Sequence, residues 1–418
     1  MTIQRIALLS VHTSPLAPMG GMKTGGMNVY IRELAQELGK DEYHIDIFTR
    51  KSSPSEPDVD HSIGPKVRVI YLQAGPATPL PPDEQYPHLS EFTANLMAFA
   101  TLHNLHYDIV YSHYWLSGWV AAKLKEAWGI CFVHMFHTLG HMKKRIHANE
   151  FYQPDRRILT EAHVLNWADR VIAATPAELA QLRWLYRAKR KQLVVIPPGV
   201  NVERFNSNLT AAEARKQLGI DPESHVLLFV GRIEPLKAVD TILEALHVLR
   251  ERQSSLLKRL HFMIVGGDPE SRRDLELQRL QDLSRRLGIN QIVSFVGAKE
   301  QAHLPVYYSA ATAVIVPSDY ESFGMVALEA MACGTPVIAS QVGGLQFLVR
   351  DRETGFHVPA REPISLTEAI IALVSDPAKS ASMGATATRA AQEYAWSVIA
   401  ERLIEEFETV VCQKLPRT

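Results

Sequence analysis

Two glutamates, Glu321 and Glu329, lie eight residues apart after a run of apolar residues. The apolar residues 313–316 predict a buried parallel strand, and residues 324–331 predict the helix that follows it. Glu321 would then lie at the carboxyl end of a parallel sheet, where open α/β folds bind ligands. Glu329, inside the helix, could accept hydrogen bonds from two ribose hydroxyls. This spacing favours a sugar nucleotide as ligand over two solvated glutamates.

The start of the same helix is a candidate anion site. Backbone N–H groups at a helix N-terminus have no partner within the helix, and the helix dipole is positive there. We therefore predict that the backbone of this first turn binds an anion such as a diphosphate. The residues concerned are Phe323, Gly324, Met325 and Val326.

Arg232 and Lys237 follow the apolar run 225–230, which predicts another strand. Their side chains would lie at the carboxyl end of that strand. When a sugar–diphosphate bond breaks, the leaving group gains negative charge, and fixed cations can stabilise it in place of a metal. The alternative is a solvated arginine and lysine at a helix start. That alternative weakens when both cations are considered together with Glu321 and Glu329.

A glycine-rich loop joins the first predicted strand to a helix. Gly25 and Gly26 lie where that helix should begin, so their N–H groups could face a phosphate or its attached sugar. The loop matches neither G-x-G-x-x-G nor G-x-x-x-x-G-K-[ST], which argues against a dinucleotide fingerprint and a P-loop. A plain flexible loop is the alternative.

Histidines cluster after the strand predicted over 131–136, and they raise the possibility of a metal site. His137 and His141 are spaced i, i+4, but no Glu follows His137 as in H-E-x-x-H, and no Asp or Cys ligand lies between or directly after them. The cluster also includes His134 and His147. We predict no metal and no other cofactor.

Composition limits the possible partners. The 418 residues carry a net charge of −1, so no global field favours nucleic acid. Three widely spaced cysteines suit a reducing compartment. We find no apolar leader and no run of about 18 apolar residues. We expect a soluble, cytoplasmic protein.

Strand-like runs alternate with helical patterns along the chain, which predicts an α/β protein with two Rossmann-like halves. Pro197-Pro-Gly interrupts the pattern and suits a hinge. An amphipathic helix is predicted from residue 396. We therefore predict domains at 1–197 and 198–395, followed by a C-terminal segment at 396–418. The loop at 52–60 is expected to be a surface loop.

Three motifs together resemble the retaining GT-B glycosyltransferases of family 4. They are E-x7-E followed by Gly334-Thr-Pro-Val, Gly231-Arg with Lys237, and the Gly25-Gly26 loop. The resemblance implies two Rossmann-like domains facing across a cleft, with the acceptor in the first domain, the nucleotide sugar in the second, and the C-terminal helix crossing back. It also implies metal-independent transfer.

The same resemblance implies roles for individual residues. His137 would contact the donor sugar, and it would act in catalysis with Arg232, Lys237 and Glu321. Ala238 departs from the family, which usually has Gly after this Lys.

The acceptor motifs resemble the branch that contains sucrose-phosphate synthase, sucrose synthase and an inositol-phosphate transferase. This implies a phosphorylated acceptor, for which the candidate residues are Asn28, Tyr114, Thr138, Lys143, Arg156 and Arg157. An exposed basic patch is the alternative. Pro82 stands where related enzymes carry a phosphate-binding Lys. The segments 86–92 and 139–143 resemble sucrose-phosphate synthases, which implies transfer from UDP-glucose to fructose 6-phosphate.

Other functions stay open. An inositol phosphate could be the acceptor. The basic, aromatic segment 183–191 could bind a membrane, although we expect a solvated helix with buried Trp and Leu. A non-catalytic sensor would not turn over substrate, and an epimerase would need no acceptor. The nucleotide base and the oligomeric state are not predicted.

Overall fold

The computed structural model describes residues 3–17, 25–146, 155–206, 209–268 and 274–414. These form two compact units. Unit 1 contains the described residues up to Gly199 together with those from Trp396 onward, and unit 2 contains Val200–Ala395. The chain therefore leaves unit 1, forms unit 2 and returns to unit 1. The Pro197-Pro-Gly break lies directly before Val200.

The described part of unit 1 contains one eight-stranded sheet in the order β3-β4-β2-β1-β5-β6-β7-β8. Its pairs are parallel except that β3 runs antiparallel to β4. The strands are β1 (Arg5–Leu9), β2 (His44–Arg50), β3 (Val59–Gly64), β4 (Val67–Leu72), β5 (Ile109–His113), β6 (Phe132–Met135), β7 (Arg170–Ala173) and β8 (Leu193–Val195).

Unit 2 contains a six-stranded, fully parallel sheet in the order β11-β10-β9-β12-β13-β14 among its described residues. This is the 3-2-1-4-5-6 order of a Rossmann fold. The strands are β9 (His225–Val230), β10 (Leu260–Val265), β11 (Val293–Phe295), β12 (Ala313–Val316), β13 (Val337–Ser340) and β14 (Gly355–Val358).

Helices connect the strands, as parallel pairing requires. In chain order they are α1 (Gly26–Leu38), α2 (Pro82–Gln85), α3 (Leu89–Leu102), α4 (Tyr114–Trp128), α5 (Gly140–Ile146), α6 (Asp155–Trp167), α7 (Pro176–Tyr186), α8 (Ala211–Gln217), α9 (Val239–Arg252), α10 (Ser254–Leu257), α11 (Leu275–Arg286), α12 (Leu304–Ala310), α13 (Met325–Ala332), α14 (Leu345–Leu348), α15 (Pro363–Val374), α16 (Pro377–Gln392) and α17 (Trp396–Lys414).

The α/β prediction is confirmed in both units, and the apolar runs 131–136, 225–230 and 313–316 form the strands β6, β9 and β12. Strand β3 was not predicted. β3 forms in and after the predicted surface loop, because an edge strand needs only one apolar face. Of its residues only Ile63 is fully buried, while His61 and Ser62 are exposed.

Helix α17 packs on unit 1. Its first residue, Trp396, places its ring 5.4 Å from that of Tyr30 on α1. Further along, Phe407 lies 5.1 Å from Tyr111 on β5. Arg402 donates a hydrogen bond of 2.9 Å to the carbonyl of Val195. The helix therefore covers Tyr30 on α1 and Tyr111 on β5.

The basic segment at the end of α7 is only partly as expected. Within segment 183–191, Leu185 is only half-buried and Trp184 is 83% exposed, so the expectation of a buried Trp and Leu is wrong. Two residues correspond to about 200° around a helix, which directs Trp184 away from the face that buries Leu182. Within the described ranges, no helix is both long and apolar enough to cross a membrane.

Candidate functional site

Lys237 and Glu321 lie at the topological switch point of unit 2. The strand order reverses between β9 and β12, and ligands bind in the crevice that such a reversal creates. Lys237 ends a short 3-10 turn after β9, and Glu321 follows β12. Lys237 Nζ donates a hydrogen bond of 2.5 Å to Glu321 Oε2. The structure therefore brings these two predicted residues together.

Two glycines allow the Glu321 loop to pack closely. Gly344 N–H donates to the Glu321 carbonyl at 2.9 Å. Gly343 has φ +47°, and a Cβ there would lie 1.9 Å from the same oxygen. At Gly344 a Cβ would lie 2.5 Å from Phe323 Cα. A larger residue at either position would displace the loop. The two glycines therefore allow the backbone of Gly343-Gly344 to pack directly against the backbone of Glu321 and Phe323.

The predicted anion site is the start of α13. Gly324 precedes it with φ +111°, and no side chain caps the first N–H groups. This positive φ is a backbone conformation that residues other than glycine rarely adopt, so it favours glycine at this position. Phe323 is buried, which leaves only its backbone to face a ligand, whereas Met325 and Val326 are half-buried. This geometry suits a diphosphate.

Arg232 is not joined to Lys237 and Glu321 by a direct contact. Its Nη1 lies 2.5 Å from Glu234 Oε1, and its side chain is 47% exposed. Both cations nevertheless follow β9, as predicted. Ala238, next to Lys237, has φ +51°, a conformation that favours glycine. The departure from the family pattern is therefore accommodated by a left-handed alanine.

Glu329 is only 5% exposed, and both of its carboxylate oxygens accept hydrogen bonds from protein side chains. Gln301 Nε2 donates to Oε1 at 3.0 Å, and the Tyr308 hydroxyl donates to Oε2 at 2.7 Å. Arg204 Nη1 in turn donates to Gln301 Oε1 at 3.3 Å, which orients the amide. Any ribose hydroxyl would have to share these oxygens. Burial among these donors fixes the carboxylate.

In unit 1, His137 lies two residues beyond β6 with φ +62°. Thr138 N–H donates to the Phe136 carbonyl at 2.7 Å, so His137 is the centre of a tight turn. Such a turn is rare and strained for a residue other than glycine. Strain of this kind concentrates at functional sites.

His137 is paired with a second histidine. Its Nε2 lies 3.0 Å from Nδ1 of His113, at the end of the neighbouring strand β5. The ring of Tyr30 contacts both histidines edge-on. Burial lowers the pKa of His137 to about 3, and burial with the nearby His137 lowers the pKa of His113 well below its ordinary value. Both rings are therefore neutral at physiological pH.

Three predicted acceptor residues form one cluster around Arg157. Its Nη2 donates to the Thr138 carbonyl at 2.6 Å and to Thr138 Oγ1 at 3.0 Å. Its Nη1 donates to the Tyr114 hydroxyl at 3.3 Å, and its Nε pairs with Glu161 at 2.7 Å. Arg157 and Glu161 are both almost fully buried. Glu161 neutralises the buried charge of Arg157. Through its other hydrogen bonds, Arg157 links the start of α4 at Tyr114 to the turn at Thr138.

Arg156 lies apart from that cluster and is exposed. Its guanidinium lies 5.2 Å from the ring of Tyr86. Among the described residues it makes no ion pair. Lys143 is exposed on α5. Asn28 is buried and donates to Thr13 Oγ1 at 2.9 Å and to the Ser14 carbonyl at 2.6 Å, so it anchors the loop after β1.

Gly25 and Gly26 lie at the start of α1, as predicted, with Gly25 as the residue before the first turn. A Cβ at Gly25 would meet no atom within 4 Å, so open space adjoins the backbone there. Among the described residues, no three His, Cys, Asp or Glu side chains are grouped to hold a metal. His147, part of the metal hypothesis, lies outside the described residues.

Several residues of the site were not predicted. His113 could have been found from the sequence, because it ends the strand next to that of His137. The others become neighbours only through tertiary contacts that no local spacing reveals. They are Glu161, Gln301, Tyr308, Asp319 and Arg361.

Comparison with known proteins gives the family. Residues 24–204 match the family model Glycosyltransferase Family 4, and residues 210–390 match Glycosyl transferases group 1. A D-inositol 3-phosphate glycosyltransferase of Kineococcus radiotolerans is 40% identical over 420 residues, which cover 98% of this chain and 96% of that protein. A protein of the same name from Actinosynnema mirum is 40% identical over 407 residues, 97% of each chain.

A solved structure agrees with this relationship. Sucrose-phosphate synthase from Thermosynechococcus elongatus is 36% identical and superimposes with a TM-score of 0.88, covering 98% of this chain and 100% of that one. The predicted family and the predicted GT-B fold are thus confirmed. The chain belongs to glycosyltransferase family 4.

Proposed function

We propose that this glycosyltransferase moves glucose from UDP-glucose to fructose 6-phosphate with retention at C1, releasing UDP and sucrose 6-phosphate. The bond between C1 and the diphosphate oxygen breaks, and a bond between C1 and the acceptor oxygen forms on the same face. The electron pair of the broken bond stays on the diphosphate oxygen of UDP. The acceptor hydroxyl passes its proton to an oxygen of this departing diphosphate.

The donor half of the proposal is supported by unit 2. Lys237 and the first turn of α13 converge on the switch point, where cations and N–H groups stabilise charge developing on a diphosphate. Arg232 supplies a second cation after β9. Glu321 would accept hydrogen bonds from sugar hydroxyls, and Glu329 would accept them from ribose. In unit 1, His137 and the Gly25-Gly26 backbone would contact the transferred sugar.

One observation carries the choice of acceptor: Arg156 lies over Tyr86, the first residue of the segment that resembles sucrose-phosphate synthases. Pro82, where relatives carry a phosphate-binding Lys, begins the short helix that leads into Tyr86. An exposed guanidinium at this place can bind a phosphate with two hydrogen bonds. We therefore assign the acceptor phosphate to Arg156, with Lys143 as a further source of positive charge.

The second candidate acceptor is an inositol phosphate. It is favoured by the 40% identity to two proteins named D-inositol 3-phosphate glycosyltransferase. Both candidates present a phosphate next to a polyhydroxylated ring or chain, so the phosphate contact alone does not separate them. The choice of fructose 6-phosphate rests on the segment that begins at Tyr86, which Arg156 contacts.

The test is UDP release from UDP-glucose with four acceptors: fructose 6-phosphate, fructose, D-inositol 3-phosphate and inositol. We expect rapid release with fructose 6-phosphate and at least tenfold slower release with the others. Preference for D-inositol 3-phosphate would overturn the acceptor assignment and establish the second candidate. Acceptor-independent conversion of UDP-glucose would indicate an epimerase, and flotation with anionic vesicles would support a lipid acceptor.

We also propose that turnover needs no metal, since Arg232 and Lys237 can supply the positive charge at the diphosphate. Activity should persist in EDTA at the rate measured in its absence. Loss of activity that Mg²⁺ or Mn²⁺ restores would contradict this. ADP-glucose and GDP-glucose, assayed in parallel, would determine the base preference.

A further inference from the structure

Arg361 contacts two separate loops of unit 2. It lies between β14 and α15 and has φ +60°, which is unusual for an arginine. Its Nε and Nη2 donate to the two carboxylate oxygens of Asp319, at 2.7 and 2.6 Å. Its Nη1 donates to Asp240 Oδ1 at 2.9 Å, and Nη2 also donates to the Pro235 carbonyl at 2.9 Å. One guanidinium thus makes four hydrogen bonds.

The partners of Arg361 flank the two charged residues of the donor site. Pro235 begins the 3-10 turn that ends at Lys237, and Asp240 lies in the first turn of the next helix. Asp319 lies two residues before Glu321. The loops also touch directly, because Asp319 N–H donates to the Leu236 carbonyl at 2.9 Å.

A planar guanidinium is well suited to this position. It binds the Asp319 carboxylate with two parallel hydrogen bonds and still reaches a carbonyl and a second carboxylate. A lysine ammonium has no such planar arrangement of donors. Because the Arg361 side chain is 43% exposed, the ion pairs themselves should add little to global stability. Their effect should be on the relative position of the loops.

We propose that Arg361 is a positioning residue that fixes the Lys237 turn against the Glu321 loop. This inference rests on the proposed function, in which these two residues act on the donor. Without Arg361, the Lys237 ammonium and the Glu321 carboxylate would no longer be held in one arrangement relative to the α13 N-terminus. Donor turnover should suffer while the acceptor KM is retained.

The first experiment compares Arg361→Gln and Arg361→Lys with the matched control Arg350→Gln. Arg350 is also exposed and pairs with Glu393 in the same unit, but it contacts neither loop. Readouts are calorimetric UDP affinity, kcat, donor KM and acceptor KM. We expect both Arg361 variants to lose at least about tenfold in kcat/KM for UDP-glucose, as misplaced catalytic groups typically do, and Arg350→Gln to lose less than twofold. Thermal midpoints should fall by no more than about 3 °C.

The second experiment separates positioning from general loosening of unit 2. Arg361→Gln is introduced into a Lys237→Ala protein. If Arg361 acts through Lys237, the Arg361→Gln substitution should lower kcat/KM for UDP-glucose less than twofold in the Lys237→Ala protein. An undiminished tenfold loss there, or equal losses for Arg361→Gln and Arg350→Gln, would overturn the proposal. If Arg361→Gln lowers the thermal midpoint by more than about 3 °C, Asp319→Asn is used instead. The expected result is again a loss of less than twofold in kcat/KM in the Lys237→Ala protein.

The two proposals fail in different ways. Wild-type protein that does not bind UDP or turn over UDP-glucose would contradict the proposed function itself. Wild-type protein that does both, with Arg361 variants that match Arg350→Gln, would contradict only the positioning role. A different acceptor would leave the UDP affinity measurements on Arg361 valid.

Discussion

Lys237 and Glu321 are ion-paired at 2.5 Å, although 84 residues separate them in the sequence. Their side chains remain 20% and 18% exposed. Pairs this accessible add little to folding stability. The arrangement instead keeps a cation and a carboxylate in defined places at the end of the sheet.

Lys237→Ala should lower kcat about 100-fold or more, as removal of one donor to a developing anion typically does. Because the pair is partly exposed, the thermal midpoint should stay near that of the wild type. Lys258→Ala, which removes an exposed lysine from the same unit, is the control. An unchanged kcat in Lys237→Ala would remove this residue from the mechanism.

Glu321→Gln and Glu329→Gln should have different effects. Glu321→Gln should lower kcat with little change in stability. Glu329→Gln should raise the Kd for UDP and also destabilise unit 2 by about 1–3 kcal/mol, because the amide N–H₂ that replaces one carboxylate oxygen would face a donor, either Gln301 Nε2 or the Tyr308 hydroxyl. Calorimetric UDP titration and thermal unfolding measure the two effects. The reverse pattern would show that the two roles are exchanged.

Arg156→Ala and Arg157→Ala form a matched pair of neighbours. Arg156→Ala should raise the KM for fructose 6-phosphate about tenfold, the loss of one charge-assisted contact, without changing UDP binding. Arg157→Ala should destabilise unit 1 by about 3–5 kcal/mol, because it leaves Glu161 buried without its counter-charge. Steady-state kinetics and thermal unfolding distinguish them. Equal use of fructose and fructose 6-phosphate by the wild type would contradict the phosphate assignment.

Acid should destabilise unit 1 through His137. Its folded pKa, about 3, lies below the ordinary value of 6.5, so the unfolded state binds more protons between these pH values. Stability contributed by the neutral ring is present above pH 6.5 and is lost as pH falls toward 3. The slope is about 1.4 kcal/mol per pH unit for one such group.

The check is the thermal midpoint between pH 7 and 4 for wild type and His137→Asn. Asn is chosen because it tolerates positive φ. The variant should show a shallower decline. His44→Asn, which removes an exposed histidine of the same unit, serves as the control, and identical slopes for all three proteins would refute the prediction.

The regular elements follow from local sequence, and most of the site does not. Apolar runs and helix starts placed Glu321 after β12 and Gly25 before α1, because periodicity and glycine positions depend on near neighbours. Sequence could not decide which of Arg156 and Arg157 is buried. That depends on Glu161 one turn away and on Tyr114 from another helix.

Long-range contacts account for the rest. Arg361 and Asp240 are 121 residues apart, and only the folded sheet brings them together. Trp184 shows the limit of composition, since a tryptophan only two residues from the buried Leu182 faces outward when the helix rotates it away. The proximity of His113 and His137 could have been predicted from the sequence, because neighbouring parallel strands end at the same edge of the sheet.

The return of the chain to unit 1 has a consequence for synthesis. Val200 N–H donates to the Tyr394 carbonyl at 2.8 Å, so the two ends of unit 2 meet. Unit 1, by contrast, cannot be completed until the residues of unit 2 have been synthesised, because α17 follows them in the chain. Tyr30 and Tyr111 gain their cover from Trp396 and Phe407 only after some 200 further residues have been translated. Unit 1 therefore depends on the synthesis of unit 2 for its last helix.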